Sequence, residues 1–194
     1  MSSDTYSTAR ERVLGVAERI FSERGYRAVT LREIADELGM KQASLYNHAP
    51  GGKEQLFVEV TERSLRRHGE HLRQAIAAAE PNLRAQLRAA ARWLLSQPPL
   101  NLDRMSTSDM PSIEPEVAQK LARLSADALF IPIDEIIAQA YRRGETRLTV
   151  PMMFAAMFLT IIESLHHAQQ YSRIAPEVMA DDVIDILLDG ILRR

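Results

Sequence analysis

Apolar side chains recur along this chain at three- and four-residue intervals, the period of a helix that buries one face. Val13, Val16, Ala17, Ile20 and Phe21 form the first stripe, which stops at Gly25. Leu31, Ile34, Ala35 and Leu38 form the second. Thr30 with Glu33 three positions later predicts a capping box at its start, and Gly39 suits a left-handed residue at its end. A short third helix, roughly 41–48, is polar except where Leu45, with Met40 before it, can anchor it. Lys53 opens a long fourth helix carrying Leu56, Phe57, Val60, Leu72 and Ile76 inward. Later helices are predicted over Leu83 to Gln97, from Pro115, from Pro132 to Gly144, from Thr149 and Pro151, and from Pro176. Residues 98–114 lack a period and read as a long loop. With no strand pair in the pattern, the predicted fold is all-α, about nine helices.

Composition narrows the chemistry. Hydrophobic residues make up 46% of the 194 positions and charged residues 26%, enough for a substantial core. Cysteine is absent, which removes disulfides, thiolate metal sites and a cysteine nucleophile. The N-terminal MSSDTYSTARER has no apolar signal core. The longest apolar run, Leu148 to Ile162, contains Pro151 and is too short to span a bilayer. These features predict a cytoplasmic protein with no membrane partner. A net charge of −2 argues against a general polyanion binder, so any nucleic-acid contact must come from a local patch.

The short polar helix supplies that patch. Two short helices, 31–38 and 41–48, joined by a turn at Gly39, form a helix-turn-helix. In that motif the first helix braces the second in the DNA major groove. Gln42 can pair with adenine, and Lys41 can reach guanine or a phosphate. Tyr46, Asn47, His48 and Lys53 are residue types that contact phosphates and fix register. Thr30 and Arg32 at the start of the second helix, and Ala43 and Ser44 within the third, complete the predicted DNA-binding set.

Residues 10–57, RERVLGVAERIFSERGYRAVTLREIADELGMKQASLYNHAPGGKEQLF, resemble the DNA-binding domain of the TetR family of bacterial transcriptional regulators. The resemblance rests on Ile20-Phe21, Arg24-Gly25-Tyr26, Thr30, Ile34-Ala35, Gly39, Leu45-Tyr46, His48 and Lys53-Glu54. Three positions depart from the family pattern: Lys41 where a capping Ser or Thr is frequent, Ala49 where Phe is frequent, and a Pro50-Gly51-Gly52 loop one residue longer. The resemblance implies a helix-turn-helix domain over 7–53 and a helical ligand-binding and dimerisation domain over 54–194. It implies a non-enzymatic repressor that binds a palindromic double-stranded DNA operator as a homodimer through helices eight and nine. A small hydrophobic effector would release it, and no cofactor is implied.

For the effector site, Trp93 is the only tryptophan and, by the resemblance, stands beside the regulatory cavity. Tyr141, Phe154, Phe158 and His166 are the expected wall, with Met105 and Met110 on the long loop as a lid; methionines suit a pocket of variable shape. The alternative is a helical-bundle metal protein or enzyme using Glu163, His166 and the His68/His71 pair. A di-metal bundle needs two Glu-x-x-His pairs, and the sequence has one, so no metal site is assigned.

Overall fold

Helix α1 (Ser2–Ala28) breaks where the sequence predicts: Gly25 takes φ 79 and ψ 168, and one further turn follows. The computed structural model describes residues 2–147, 150–168 and 171–191. Helix α2 (Leu31–Glu37) opens on the predicted capping box. The Glu33 N–H donates to Thr30 Oγ1 at 3.2 Å, and the Thr30 N–H donates to Glu33 Oε2 at 2.7 Å. It closes as a Schellman turn, with the Gly39 N–H on the Asp36 carbonyl and the Met40 N–H on the Ala35 carbonyl, both at 3.0 Å. Gly39 has φ 66, where a side chain would strain the backbone. Helix α3 (Gln42–Leu45) is a single α-turn, continued to His48 by tighter turns.

Helix α4 (Gly52–Ala78) is followed by α5 (Leu83–Leu95), which Asn82 caps by accepting from the Ala85 N–H. The stretch expected to be a loop is largely helical. It consists of a short α6 (Leu102–Arg104), a π-turn over Met105–Asp109 and a 3-10 turn over Met110–Ser112. Helix α7 (Pro115–Ser125) does not stop before Pro132 as expected; it continues through a π-helical turn, Ala126–Phe130, into α8 (Ile131–Arg142). Proline lacks an N–H and its ring clashes with the carbonyl four residues back, and the wider turn accommodates both. Helices α9 (Pro151–Ala168) and α10 (Pro176–Ile191) correspond to predicted helices eight and nine. Thr149 lies outside the described residues. All regular elements among the described residues are helices.

Two compact units result: Met1–Ser64 with Asn101–Arg123, and Leu65–Leu100 with Leu124–Arg194. The first is cored by Val13, Ala17 and Phe21 of α1, Ile34 and Ala35 of α2, Leu45, and Leu56, Phe57 and Val60 of α4. In the second, α5, α8, α9 and α10 bury Leu87, Ile133, Ile137, Phe158, Ile162 and Ile184. Arginines on α5 pair with aspartates on α10: Arg84 with Asp185, and Arg88 with Asp181 at 3.2 Å and Asp185 at 3.0 Å.

Candidate nucleic-acid interface

Leu45 is 0% exposed, while Lys41, Gln42, Ala43, Ser44, Tyr46 and Asn47 around it are all exposed. One apolar residue therefore fastens α3 to the first unit's core and leaves nearly every other side chain outward. Lys41 is the N-cap residue, with extended backbone and no side-chain cap bond, so its ammonium remains on the surface. His48 is half-buried, and Ala49 is packed into the core.

Tyr46 lies beside the start of α4. A Cβ built on Gly52 would come within 4.0 Å of Tyr46 Cε1 and 3.9 Å of Leu31 Cδ1. The next residue, Lys53, holds its Nζ 4.2 Å from the centre of the Tyr26 ring, a cation–π contact. Burial pushes the Lys53 pKa down, while the charges of Glu33 and Asp109 favour its ammonium. Tyr26 in turn packs against Phe57 at 4.9 Å and Phe21 at 6.4 Å between ring centres. Arg32 is exposed beside Asp36 at 3.8 Å. Thr30 is on the surface, but its hydroxyl is engaged with Glu33, whose other oxygen accepts from Arg24 at 2.7 Å. Those bonds, Arg24 first and then Thr30, hold the Glu33 carboxyl down at about 2.

Arg24, Tyr26, Arg104 and Asp109 make bonds between elements that sequence reasoning did not assign. Arg104 donates to the Phe21, Ser22 and Glu23 carbonyls at 3.2, 2.6 and 3.3 Å. Asp109, 4% exposed, accepts the Tyr26 N–H at 2.8 Å. Only Arg24-Gly25-Tyr26 had a local sequence signal.

The expected effector residues fall in both units: Met105 and Met110 in the first, and Trp93, Tyr141, Phe154, Phe158 and His166 in the second. Met105 is buried in the first unit and Met110 packs on that unit's core, in a segment that is helical and anchored to α1. Trp93 belongs to the second unit, where its ring stacks on His71 at 4.8 Å and meets His68 edge-on at 6.2 Å. His166 reaches the Leu94 backbone; burial foremost, then the neighbouring His167, pushes its pKa down. Phe154 and Phe158 are fully packed core residues, and Tyr141 is exposed at 43%. An open groove of about 580 Å³ runs between the end of α4 and α5, lined by Ala75, Ala78, Arg84, Ala85, Arg88 and Ala89. None of the seven expected effector residues lines it. Among the described residues, no group of three or more histidines and carboxylates is placed to hold a metal ion. No described helix is long and apolar enough to cross a membrane.

Residues 13–60 match the sequence model of the family described as bacterial regulatory proteins, tetR family. The chain is 41% identical over 73 residues to the HTH-type transcriptional regulator LmrA of Bacillus subtilis strain 168, covering 38% of this chain and 37% of LmrA. It is 41% identical over 63 residues to the HTH-type transcriptional repressor KstR2 of Mycolicibacterium smegmatis, covering 31% of this chain and 30% of KstR2. The match thus spans about a third of the length of each of these curated relatives. Over nearly the whole chain, the fold is similar to that of AibR solved with isovaleryl coenzyme A and operator DNA. That likeness has a TM-score of 0.75 at 20% identity and covers 92% of this chain and 97% of that one. It is also similar to KstR2 of Mycobacterium tuberculosis, with a TM-score of 0.67 at 18% identity and 95% of each chain covered.

Proposed function

We propose that this chain, which belongs to the TetR family by its helix-turn-helix domain and its TetR-type fold, is a homodimeric transcriptional repressor released from its operator by a small molecule. The DNA-binding role falls to residues 7–53 and the effector and dimer roles to 54–194. The observation that carries the reading is α3: a single buried anchor, Leu45, beneath a surface of exposed hydrogen-bonding side chains. Gln42 is the base-reading residue. Lys41 reads guanine or a phosphate, and Tyr46, Asn47, His48 and Lys53 set register on the backbone. Thr30, Arg32, Ala43 and Ser44 line the same surface.

Selection of bound duplexes from a random pool tests this. The expected product is one palindromic or near-palindromic sequence, matching a twofold dimer. A protein that enriches no sequence and retains no duplex at low salt would end this reading.

The effector region is assigned to the second unit around Trp93, which His71 stacks on, with Tyr141, Phe154, Phe158 and His166 as the expected wall. A mostly apolar site with few polar groups suits a medium-sized hydrophobic molecule. AibR was solved with an acyl coenzyme A, and acyl thioesters belong in the first screen. The expected inducer changes Trp93 emission and lowers operator affinity together. An inducer that acts equally on Trp93→Phe protein and leaves emission untouched would move the site elsewhere.

A further inference from the structure

A buried carboxylate and a guanidinium, from residues far along the chain, close the end of α1, an arrangement that the proposed DNA contacts do not explain. Arg104 caps three carbonyls at the break in α1 and lies 3.4 Å from Asp109 through its Nε. Asn101, itself left-handed at φ 55, adds a bond to the Ser22 carbonyl at 3.2 Å. Gly25 sits beneath this clamp so tightly that a Cβ would meet Arg104 Nε at 2.8 Å and Asp109 Oδ1 at 2.9 Å.

We propose that Arg104 and Asp109 are positioning residues for DNA binding, acting through Tyr26 to hold the Lys53 ammonium ready for a phosphate. The inference rests on the regulatory reading above. Asp109 fixes the Tyr26 backbone through its N–H. Phe21 and Phe57 fix the ring, and the ring carries Lys53. A free lysine loses much rotamer freedom when it binds, and one already held over a ring loses less. The charge on Asp109 also favours the Lys53 ammonium against its partial burial. An ordinary structural cap would stabilise α1 without reaching Lys53, and the two roles separate experimentally.

The test uses the full chain and a mixed-sequence duplex, because a phosphate contact carries no base identity. Binding is measured against salt at a temperature where each variant keeps its wild-type circular dichroism. Lys53→Gln is expected to flatten the slope of log affinity against log salt by about 1 for each protomer. Asp109→Asn and Arg104→Gln are expected to lower affinity severalfold and flatten the slope in the same direction. Adding Asp109→Asn to Lys53→Gln should then change nothing further, and Arg104→Lys should recover part of the loss. Should Asp109→Asn unfold, the tyrosine carries the same test: Tyr26→Phe keeps the ring and the wild-type slope, while Tyr26→Leu loses both. Wild-type slopes in the clamp variants, or losses that add to that of Lys53→Gln, overturn the positioning role and leave a structural cap. A wild-type protein that binds no duplex at low salt removes the regulatory reading itself, and the proposal with it.

Discussion

Gln42 and Tyr46 stand one helical turn apart on α3, both exposed, yet they are expected to report different things about DNA. A side-chain amide can pair with a base edge, so Gln42→Ala should relax preference at one base position, costing on the order of 1–3 kcal/mol there. A phenol on a phosphate reads no base, so Tyr46→Phe should weaken every sequence alike. Repeating the random-pool selection with each variant checks both. An unchanged consensus with Gln42→Ala would take α3 out of the groove. Glu33 makes a prediction of a different kind, about acid. Its carboxyl sits at about 2 against an ordinary 4.5, held there first by Arg24 and then by Thr30. A lowered folded-state value means that the stabilisation is complete above the ordinary value and is lost as pH falls toward the folded one. The gap in unfolding midpoint between wild type and Glu33→Gln should therefore be full at neutral pH and narrow from about 4.5 down to about 2. Because Glu33 is on the surface, solvent keeps the gap small. A gap that ignores pH would detach it from this ion pair.

At the scale of elements, the turn between α2 and α3 depends on one backbone conformation. Gly39 is left-handed and, beyond its own chain neighbours, no heavy atom lies within 4 Å of where its Cβ would be, so a substitution there meets strain without a clash. Gly39→Ala should cost about 1 kcal/mol, and Gly39→Asn less, since asparagine tolerates that region. Chemical denaturation measures both; equal losses would mean that something other than φ sets the cost. This turn was legible in the sequence because its signals are local: a capping box, an apolar period and a glycine within ten residues. Leu45 among mostly polar neighbours likewise marked which side of α3 is buried and which is exposed. The clamp was not legible, because Asp109 acts 83 positions from Tyr26 and its own segment has no period to announce a helix. The bonds from Arg104 to distant carbonyls, which hold the segment of Met105 and Met110 on α1, likewise leave no local signal. Pro132 stands in the first turn of α8 as predicted, but no break precedes it: a proline forbids one hydrogen bond, and a π-turn satisfies that demand without ending the helix.

For the whole molecule, the question is what covers the apolar side chains that one copy leaves bare. Met153 and Met157 on α9 are 55% and 45% exposed, and Val178 and Ile186 on α10 are 54% and 71% exposed. Periodicity alone placed Val183, Ile184, Leu187 and Leu188 on one face with Ile191. In the fold that face divides: Ile184 and Leu188 are buried in their own protomer, and Val183 and Leu187 are half-exposed at its edge, while the Ile191 side chain lies outside the described residues. The α5 arginines take Asp181 and Asp185, which turns Ile186 outward. We therefore expect α9 and α10 of two copies to pack together around Met153, Met157 and Ile186. In a twofold interface each substitution acts twice. Burying an isoleucine is worth about 1.5–3 kcal/mol, so Ile186→Glu should weaken the dimer by about 3 kcal/mol or more, on the order of a hundredfold or greater. Its unfolding, at concentrations where it is monomeric, should stay cooperative, because Ile186 contributes little to the protomer's own core. Ile184→Glu should instead unfold the protomer by placing a charge where no water reaches. Sedimentation equilibrium at micromolar protein, with operator binding alongside, distinguishes these outcomes. An Ile186→Glu protein that stays dimeric would move the interface away from α10, and a monomeric wild type would remove the dimer from the mechanism.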